Sequence, residues 1–383
     1  LRQAPMDYDV IIAGGSFAGL AAAAQLRGKR VLLIEPHAIG AVQTSACGTL
    51  LAVLEATGTM DSLLQIHDRF VIHLEDRPYE FPLPYPFCTF DYRTFCDRLF
   101  RQTDAELLNA SVLGHQSHLV YTTKGVFDAE ILIDATGWRA ALAANGRQQA
   151  EPHTGKSFGL ETVIPVEKQG LHFYYDKRKL GAYNVGWLFP TGGFSRAGFG
   201  SYRGATRLNA ALNGFVRNYF GCSSNGIHGG YWPYHRQPAA TGHVFRIGDA
   251  AGQCIPLSGE GIRPALYFGA MAGSLARRAL NGEMRVSDAL HIYREASRKR
   301  LAIPHYLLLA AQKIIPGLPM RWLNGLTNLV HSPDVLDPLL RCYWNVIDPD
   351  ALALLWPGDS TSMKFSSRLH VQSDLVYPGR RVL

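Results

Sequence analysis

The sequence predicts an α/β protein: a doubly wound nucleotide-binding domain, interrupted by an antiparallel-sheet domain and followed by a helical C-terminal region. Three observations predict it. Near the start, a glycine-rich turn joins an apolar run to an alanine-rich stretch, IIAGGSFAGLAAAA over positions 11–24. Alternating aromatic runs such as LHFYY and GWLF, broken by glycines and charged turns, fill residues 157–202. Beyond them, HVFRIGDAAG from His243 returns to the texture of a buried strand ended by glycine.

The bulk numbers bound the class. A chain of 383 residues can build more than one core, and 47% hydrophobic with 18% charged residues is ordinary globular composition. The formal charge of +7 suits an acidic protein partner, a phosphorylated substrate or an anionic lipid surface. No DNA- or RNA-binding motif accompanies it, so no nucleic acid partner is expected. Six scattered cysteines without a C-x-x-C pair suggest free thiols in a reducing compartment. No leader pattern opens the chain, and no apolar window reaches the roughly 18 residues of a membrane span. The expected location is the cytoplasm or the surface of a membrane. The histidines show neither H-x-x-x-H nor H-E-x-x-H spacing, so no metal site is expected; His73, His172 and His228 read as surface or structural residues.

Element by element, Tyr8–Ala13 is a short apolar run ended by glycine, a buried parallel strand. Residues 16–26 read as a helix, and RVLLI at 30–34 as the second strand of a βαβ unit. Residues 55–100 mix helix with polar and proline-rich pieces such as RPYEFPLPYPF. FDAEILID at 127–134 is another strand, ended by Ala135-Thr136-Gly137. Residues 261–280 form a helix, and helices with many prolines follow. The expected division assigns 1–75, 100–156 and 236–290 to the nucleotide domain, 76–99 and 157–235 to a substrate domain, and 291–383 to the helical region.

In the turn Gly14-Gly15-Ser16-Phe17-Ala18-Gly19, Gly14 permits the tight bend and Gly19 lets the helix pack on the sheet. Serine stands where the second glycine of G-x-G-x-x-G is usual. Its hydroxyl could donate to a phosphate at the helix N-terminus, where backbone N–H groups already favour an anion. Glu35, followed by Pro36, ends the second strand where a carboxylate reaches ribose hydroxyls. The alternative is a glycine-rich βα turn without a ligand.

IGDAAGQCIPLSGEGI, from Ile247, resembles the second FAD fingerprint of glutathione-reductase-like flavoproteins. The resemblance implies that Gly248 passes beneath the pyrophosphate and that Asp249 accepts hydrogen bonds from ribityl hydroxyls. It also implies that Pro256, Gly259, Gly261 and Ile262 bring a helix N-terminus to the flavin, and Ala135, Thr136 and Gly137 match a third contact region. The cofactor it implies is FAD.

PLSGEGI after GDAAG, together with Ala46-Cys47-Gly48, resembles the geranylgeranyl reductase family of flavoproteins, which share the p-hydroxybenzoate-hydroxylase-like fold. Val185-Gly186-Trp187-Leu188-Phe189-Pro190, followed by Gly198-Phe199-Gly200, resembles that family's aromatic-x-W-x-F-P…G-x-G substrate motif, with valine at the first aromatic position. The resemblance implies a substrate face at Trp187, Phe189, Gly198 and Gly200. It also implies flavin contact by Ala46 and Cys47, a catalytic candidate in the Cys47 thiol, and cofactor contact by Arg93 and Val112. For Cys47 the plainer reading is a small buried hydrophobe. Nine aromatic residues (Phe173, Tyr174, Tyr175, Tyr183, Trp187, Phe189, Phe194, Phe199 and Tyr202) are expected to form one face over the flavin. The implied activity is reduction of isoprenoid C=C bonds, with an apolar prenyl or aromatic substrate, NAD(P)H or ferredoxin as electron donor, and peripheral membrane contact. The alternative is a monooxygenase or halogenase-like enzyme acting on an aromatic or polyketide compound. Against it stand the absence of lysine between Lys29 and Lys124, and Asp134-Ala135 where the hydroxylases carry Asp-Gly.

Overall fold

A computed structural model describes residues 6–43, 45–75, 77–142 and 155–356. The chain opens with β1 (Tyr8–Ala13), α1 (Phe17–Ala24) and β2 (Val31–Ile34). Next come β3 (Gly48–Leu50), α2 (Leu51–Ala56), the long strands β4 (Leu63–Leu74) and β5 (Arg77–Phe90), and α3 (Tyr92–Phe100). Then β6 (Glu106–Leu108), β7 (Val112–Gln116), β8 (Leu119–Thr122) and β9 (Gly125–Asp134) lead to the aromatic region. That region holds β10 (Lys156–Ile164), β11 (Leu171–Tyr175), β12 (Asn184–Pro190), β13 (Ser195–Ser201), α4 (Asn209–Phe220) and β14 (His228–Pro233). The chain returns through β15 (Ala240–Thr241) and β16 (Val244–Arg246). It continues with α5 (Ile262–Leu280), α6 (Val286–Ile314), α7 (Met320–Val330), α8 (Pro333–Trp344) and α9 (Pro349–Leu355).

Two sheets organise these elements. The first has the order β15-β16-β9-β1-β2-β6, with β8 and β7 attached along β9. Strands β16, β9, β1, β2 and β6 run parallel. Val10, Ile11, Ile12 and Ala13 are fully buried, as a central parallel strand covered on both faces requires. Ala13 pairs with Ile34 on one side and Asp134 on the other. The glycine turn, Glu35 and Ala135 therefore leave the same end of the sheet, where α/β folds bind nucleotides.

The second sheet has the order β14-β10-β13-β12-β11-β4-β5-β3 and is antiparallel except between β11 and β4. Here the structure differs from two expectations. The proline-rich stretch after position 76 is not a string of short pieces but the 14-residue strand β5. Its pairing with β4 is interrupted between Pro82 and Phe87, where Pro84 and Pro86 fall without ladder partners, and β3 pairs only with Phe87–Thr89. In addition, β3 and β4 lie before position 76 yet pair within the second sheet, not the first.

Helices α1 and α5 cross almost in backbone contact. A Cβ on Gly269 would lie 2.3 Å from the Ala18 carbonyl oxygen, and one on Gly273 2.3 Å from that of Ala22. Small residues on both helices thus bring the first turn and the segment before α5 together. All of α1 is buried, consistent with its alanine-rich sequence.

Candidate functional site

The nucleotide turn is built by close approach. Gly14 has φ +105°, and a Cβ there would sit 2.2 Å from the Ala135 oxygen; a Cβ on Gly19 would sit 1.9 Å from the Gly14 oxygen. No side chain but hydrogen fits either place. The Gly15 N–H donates to Glu35 Oε2 at 2.9 Å, and the His37 N–H to Glu35 Oε1 at 3.3 Å, so the carboxylate is held at the end of β2 beside the turn. Gly248, at φ +60°, packs against the same helix, since a Cβ there would lie 3.1 Å from Ala18 Cβ. Thr136 Oγ1 donates to Asp134 Oδ1 at 2.7 Å and accepts from the Ala141 N–H at 2.6 Å, fixing the third region. The three sequence segments converge on one cradle.

Three of the expected contact residues also have partners within the protein. The Ser16 hydroxyl lies 2.9 Å from the Tyr92 hydroxyl of α3. Arg93 is exposed, while its backbone packs against Gly40 in the loop after Glu35 and Pro36. Val112 begins β7 and packs against the core under β1 and β2.

The segment before α5 is braced from the C-terminal side. The Gly248 N–H donates to the buried Gln253 Oε1 at 2.7 Å, and Gln253 Nε2 donates to Tyr293 and Ser297 of α6 at 3.1 Å each. Leu257 has φ +66°; its N–H donates to Gln312 Oε1 at 2.7 Å, and its carbonyl accepts from the Tyr202 hydroxyl at 2.8 Å. Glu260 pairs with Arg263, which is fully buried and also donates to the Trp344 and Ile347 carbonyls at 2.8 and 2.6 Å. Pro256 is buried, and no side chain caps α5 at Gly261, which precedes Ile262. Asp249 lines a small cleft with Trp138, Lys156, His235 and Gln237. Burial pushes its carboxyl up to about 7.

The second sheet turns one face to this cradle. Trp187 on β12 donates from Nε1 to Glu161 Oε2 on β10 at 2.8 Å. Its indole lies across Gly198, where a Cβ would come within 1.9 Å of the ring, and near Gly200. The two motif glycines thus make the room that the Trp187 ring occupies. Phe189 shares the Trp187 face and reaches the Gly48 position, with ring carbon Cε2 3.3 Å from where a Cβ would stand. The Cys47-Gly48 loop and the W-x-F pair are therefore neighbours. Cys47 is fully buried at φ +55°, and its Sγ donates to the Ser45 carbonyl at 3.2 Å. Burial pushes its thiol up, so it is a neutral thiol at physiological pH. The Ala46 carbonyl accepts from Arg196 at 3.3 Å.

The expected single face of nine aromatics is not found. Tyr174 and Phe199 point to the opposite side and pack with Phe215 of α4, while Phe194 lies exposed in a turn. The period-two alternation explains the split, because neighbours along a strand face opposite ways. Phe173, Trp187 and Phe189 remain together, with the Phe173 and Phe189 rings 5.5 Å apart.

Sequence reasoning missed a polar cluster on that same face. Glu161 and Arg196 are buried 4.0 Å apart, Gln43 donates to Glu161 Oε1 at 3.3 Å, and His228 Nε2 is 3.3 Å from the same oxygen. The Glu161 carboxylate beside it raises the pKa of the His228 imidazole. Trp232 packs beside Gly159 and Gly200, and its buried Nε1 lacks a partner among the described residues. The signal in the sequence was weak: one acid in the strand GLETVI, at a position opposite His228 on the neighbouring strand.

These residues fit an extended dinucleotide. The glycine turn packs closely against the Ala135 carbonyl, Glu35 stands at the end of β2, and Asp249 is a desolvated carboxyl suited to hydroxyl donors. No protein-family model matches the chain. Digeranylgeranylglycerophospholipid reductase 2 of Methanothermobacter thermautotrophicus is 25% identical over 372 residues, covering 86% of this chain and 93% of the relative. A geranylgeranyl bacteriochlorophyll reductase-like protein of Thermoplasma acidophilum has a similar structure, with TM-score 0.75 at 19% identity, covering 91% and 98% of the two chains. A flavin-dependent brominase, Bmp2, gives TM-score 0.71 at 16% identity, covering 91% and 97%. The fold is one shared by flavin-dependent reductases and monooxygenases of known structure. Within that class the chain resembles the geranylgeranyl reductase family, along most of its length.

Proposed function

We propose that this protein is a reductase that saturates isoprenoid C=C bonds. The observation that carries the reading is the contact between Phe189 of the W-x-F-P strand and the Cys47-Gly48 loop, which puts an apolar aromatic face against the expected flavin loop. The similarity to a named digeranylgeranylglycerophospholipid reductase over 86% of the chain supports a prenyl-lipid substrate. NAD(P)H or ferredoxin is the expected electron donor, and contact with a membrane belongs to the same reading.

When bound and reduced, FAD supplies a hydride equivalent. The chain's own residues bind and orient. Gly14, Gly15, Gly19 and Gly248 would let the turn close tightly beside the pyrophosphate, Glu35 would take the adenosine ribose, and Asp249 would take ribityl hydroxyls. The start of α5, which no side chain caps, would present N–H groups to the pyrimidine end of the ring. Trp187, Phe173 and Phe189 exclude water from the substrate chain, and Glu161 fixes the Trp187 indole through its hydrogen bond. Cys47, a fully buried neutral thiol with its Sγ–H directed at the Ser45 carbonyl, would serve as a proton donor beside the ring only after its loop had opened. Trp187→Ala tests the substrate face. The expected result is lower turnover of a prenyl substrate with a nearly unchanged flavin spectrum; loss of FAD in that variant would make Trp187 structural and remove the reading's support.

A further inference from the structure

The exposed side of α6 and α7 has a composition that packing does not explain. Leu301, His305, Leu308 and Gln312 recur at helical spacing and form the inner stripe of α6. The opposite stripe holds Ile303, Tyr306, Leu307, Ala310 and Ile314, with Ile303 72% and Leu307 66% exposed. On α7, Leu323 is buried against the second sheet, while Trp322, Leu326 and Leu329 repeat the same pattern in solvent. Large aliphatic and aromatic groups in such a series are uncommon on a surface that meets only water.

The charge of this stretch is one-sided. Between Glu295 and Asp334 the chain contains no acidic residue, while Arg298, Lys299, Arg300, Lys313 and Arg321 fall within it. Lys299, Lys313 and Arg321 are exposed beside the apolar stripe. A cationic border around an apolar helical face matches an anionic lipid surface in both respects. No described helix is long and apolar enough to cross a membrane, so the contact would lie in the interface.

The inner stripe of the same helix reaches the cofactor cradle. Gln312 holds the Leu257 N–H, and His305 Nε2 pairs with the Tyr234 carbonyl at 2.8 Å, next to the strand that carries Trp232. We propose that the outer faces of α6 and α7 dock on an anionic phospholipid bilayer, bringing the reductase site to the lipid that carries its substrate. This rests on the reductase reading only for its purpose; the docking itself does not depend on turnover.

The test uses the full-length, FAD-loaded, oxidised protein and cosedimentation with vesicles of phosphatidylglycerol and phosphatidylcholine, compared with phosphatidylcholine alone. Wild type should bind the anionic vesicles more tightly, and added salt should weaken that binding. The triple variant Ile303→Ser, Leu307→Ser, Trp322→Ser should lose about tenfold or more of the affinity. Lys299→Glu with Lys313→Glu should lose about as much on anionic vesicles and little on neutral ones. Unchanged flavin absorbance in each variant establishes that the cradle is intact. The proposal is overturned if wild type remains in the supernatant, or if the triple variant binds as well as wild type. It is equally overturned if the wild type is a dimer that the triple variant splits without any vesicle binding, which would assign the face to a second copy. Vesicle binding without prenyl reduction would keep the surface and remove the reductase reading; reduction of a detergent-dispersed prenyl substrate without vesicle binding would do the reverse.

Discussion

Replacing Asp249 with asparagine should stabilise the protein without FAD and weaken its hold on FAD. The carboxyl is raised from 3.8 to about 7 by burial, roughly three units. Between those values the unfolded chain has released the proton and the folded chain has kept it. Stability therefore falls as pH rises from 3.8, by about 1.4 kcal/mol per unit, and the loss is complete above pH 7. The cost approaches about 4 kcal/mol as an upper limit at pH 8. Asparagine carries no charge to desolvate, so urea unfolding of the deflavinated variant at pH 8 should show a gain of about 2–4 kcal/mol, shrinking toward zero at pH 4. In the holoprotein the sign reverses. Loss of a charged acceptor for ribityl hydroxyls should cost about 1.5–3 kcal/mol, a ten- to hundredfold weaker FAD affinity by fluorescence titration. A deflavinated variant no more stable than wild type at pH 8 would refute the desolvation, and a variant that binds FAD as tightly as wild type would refute the assigned contact.

Glu35→Ala should weaken FAD binding by about 1–3 kcal/mol, because the carboxylate that Gly15 and His37 now hold can no longer take the ribose; equilibrium dialysis reads this directly. Glu161→Leu should destabilise the fold by about 3–5 kcal/mol in urea unfolding, since it leaves the buried Arg196 without its anion, while Glu161→Gln keeps an acceptor for Trp187 and should retain more turnover.

The nucleotide half of the protein was legible because its signals are local. Gly14, Gly19 and Gly248 sit where backbone geometry admits nothing larger, and Glu35 follows its strand directly. The strand β5 was hidden because prolines read as breakers; Pro84 and Pro86 fall in the irregularity between Pro82 and Phe87, where no ladder partner is required. The aromatic face was overcounted because composition does not say which way a side chain points, and Tyr174 and Phe199 point toward α4. The Glu161, Arg196 and His228 cluster was missed for a different reason. Those residues are distant in sequence and meet only through the β14-β10-β13 register.

The most direct test of the reductase reading is a single turnover without oxygen. Enzyme reduced anaerobically and mixed with a polyprenyl substrate should reoxidise its flavin and yield a product heavier by two hydrogen atoms at the reduced bond. A product that forms only when oxygen is admitted, heavier by an oxygen atom or carrying a halogen, would contradict it.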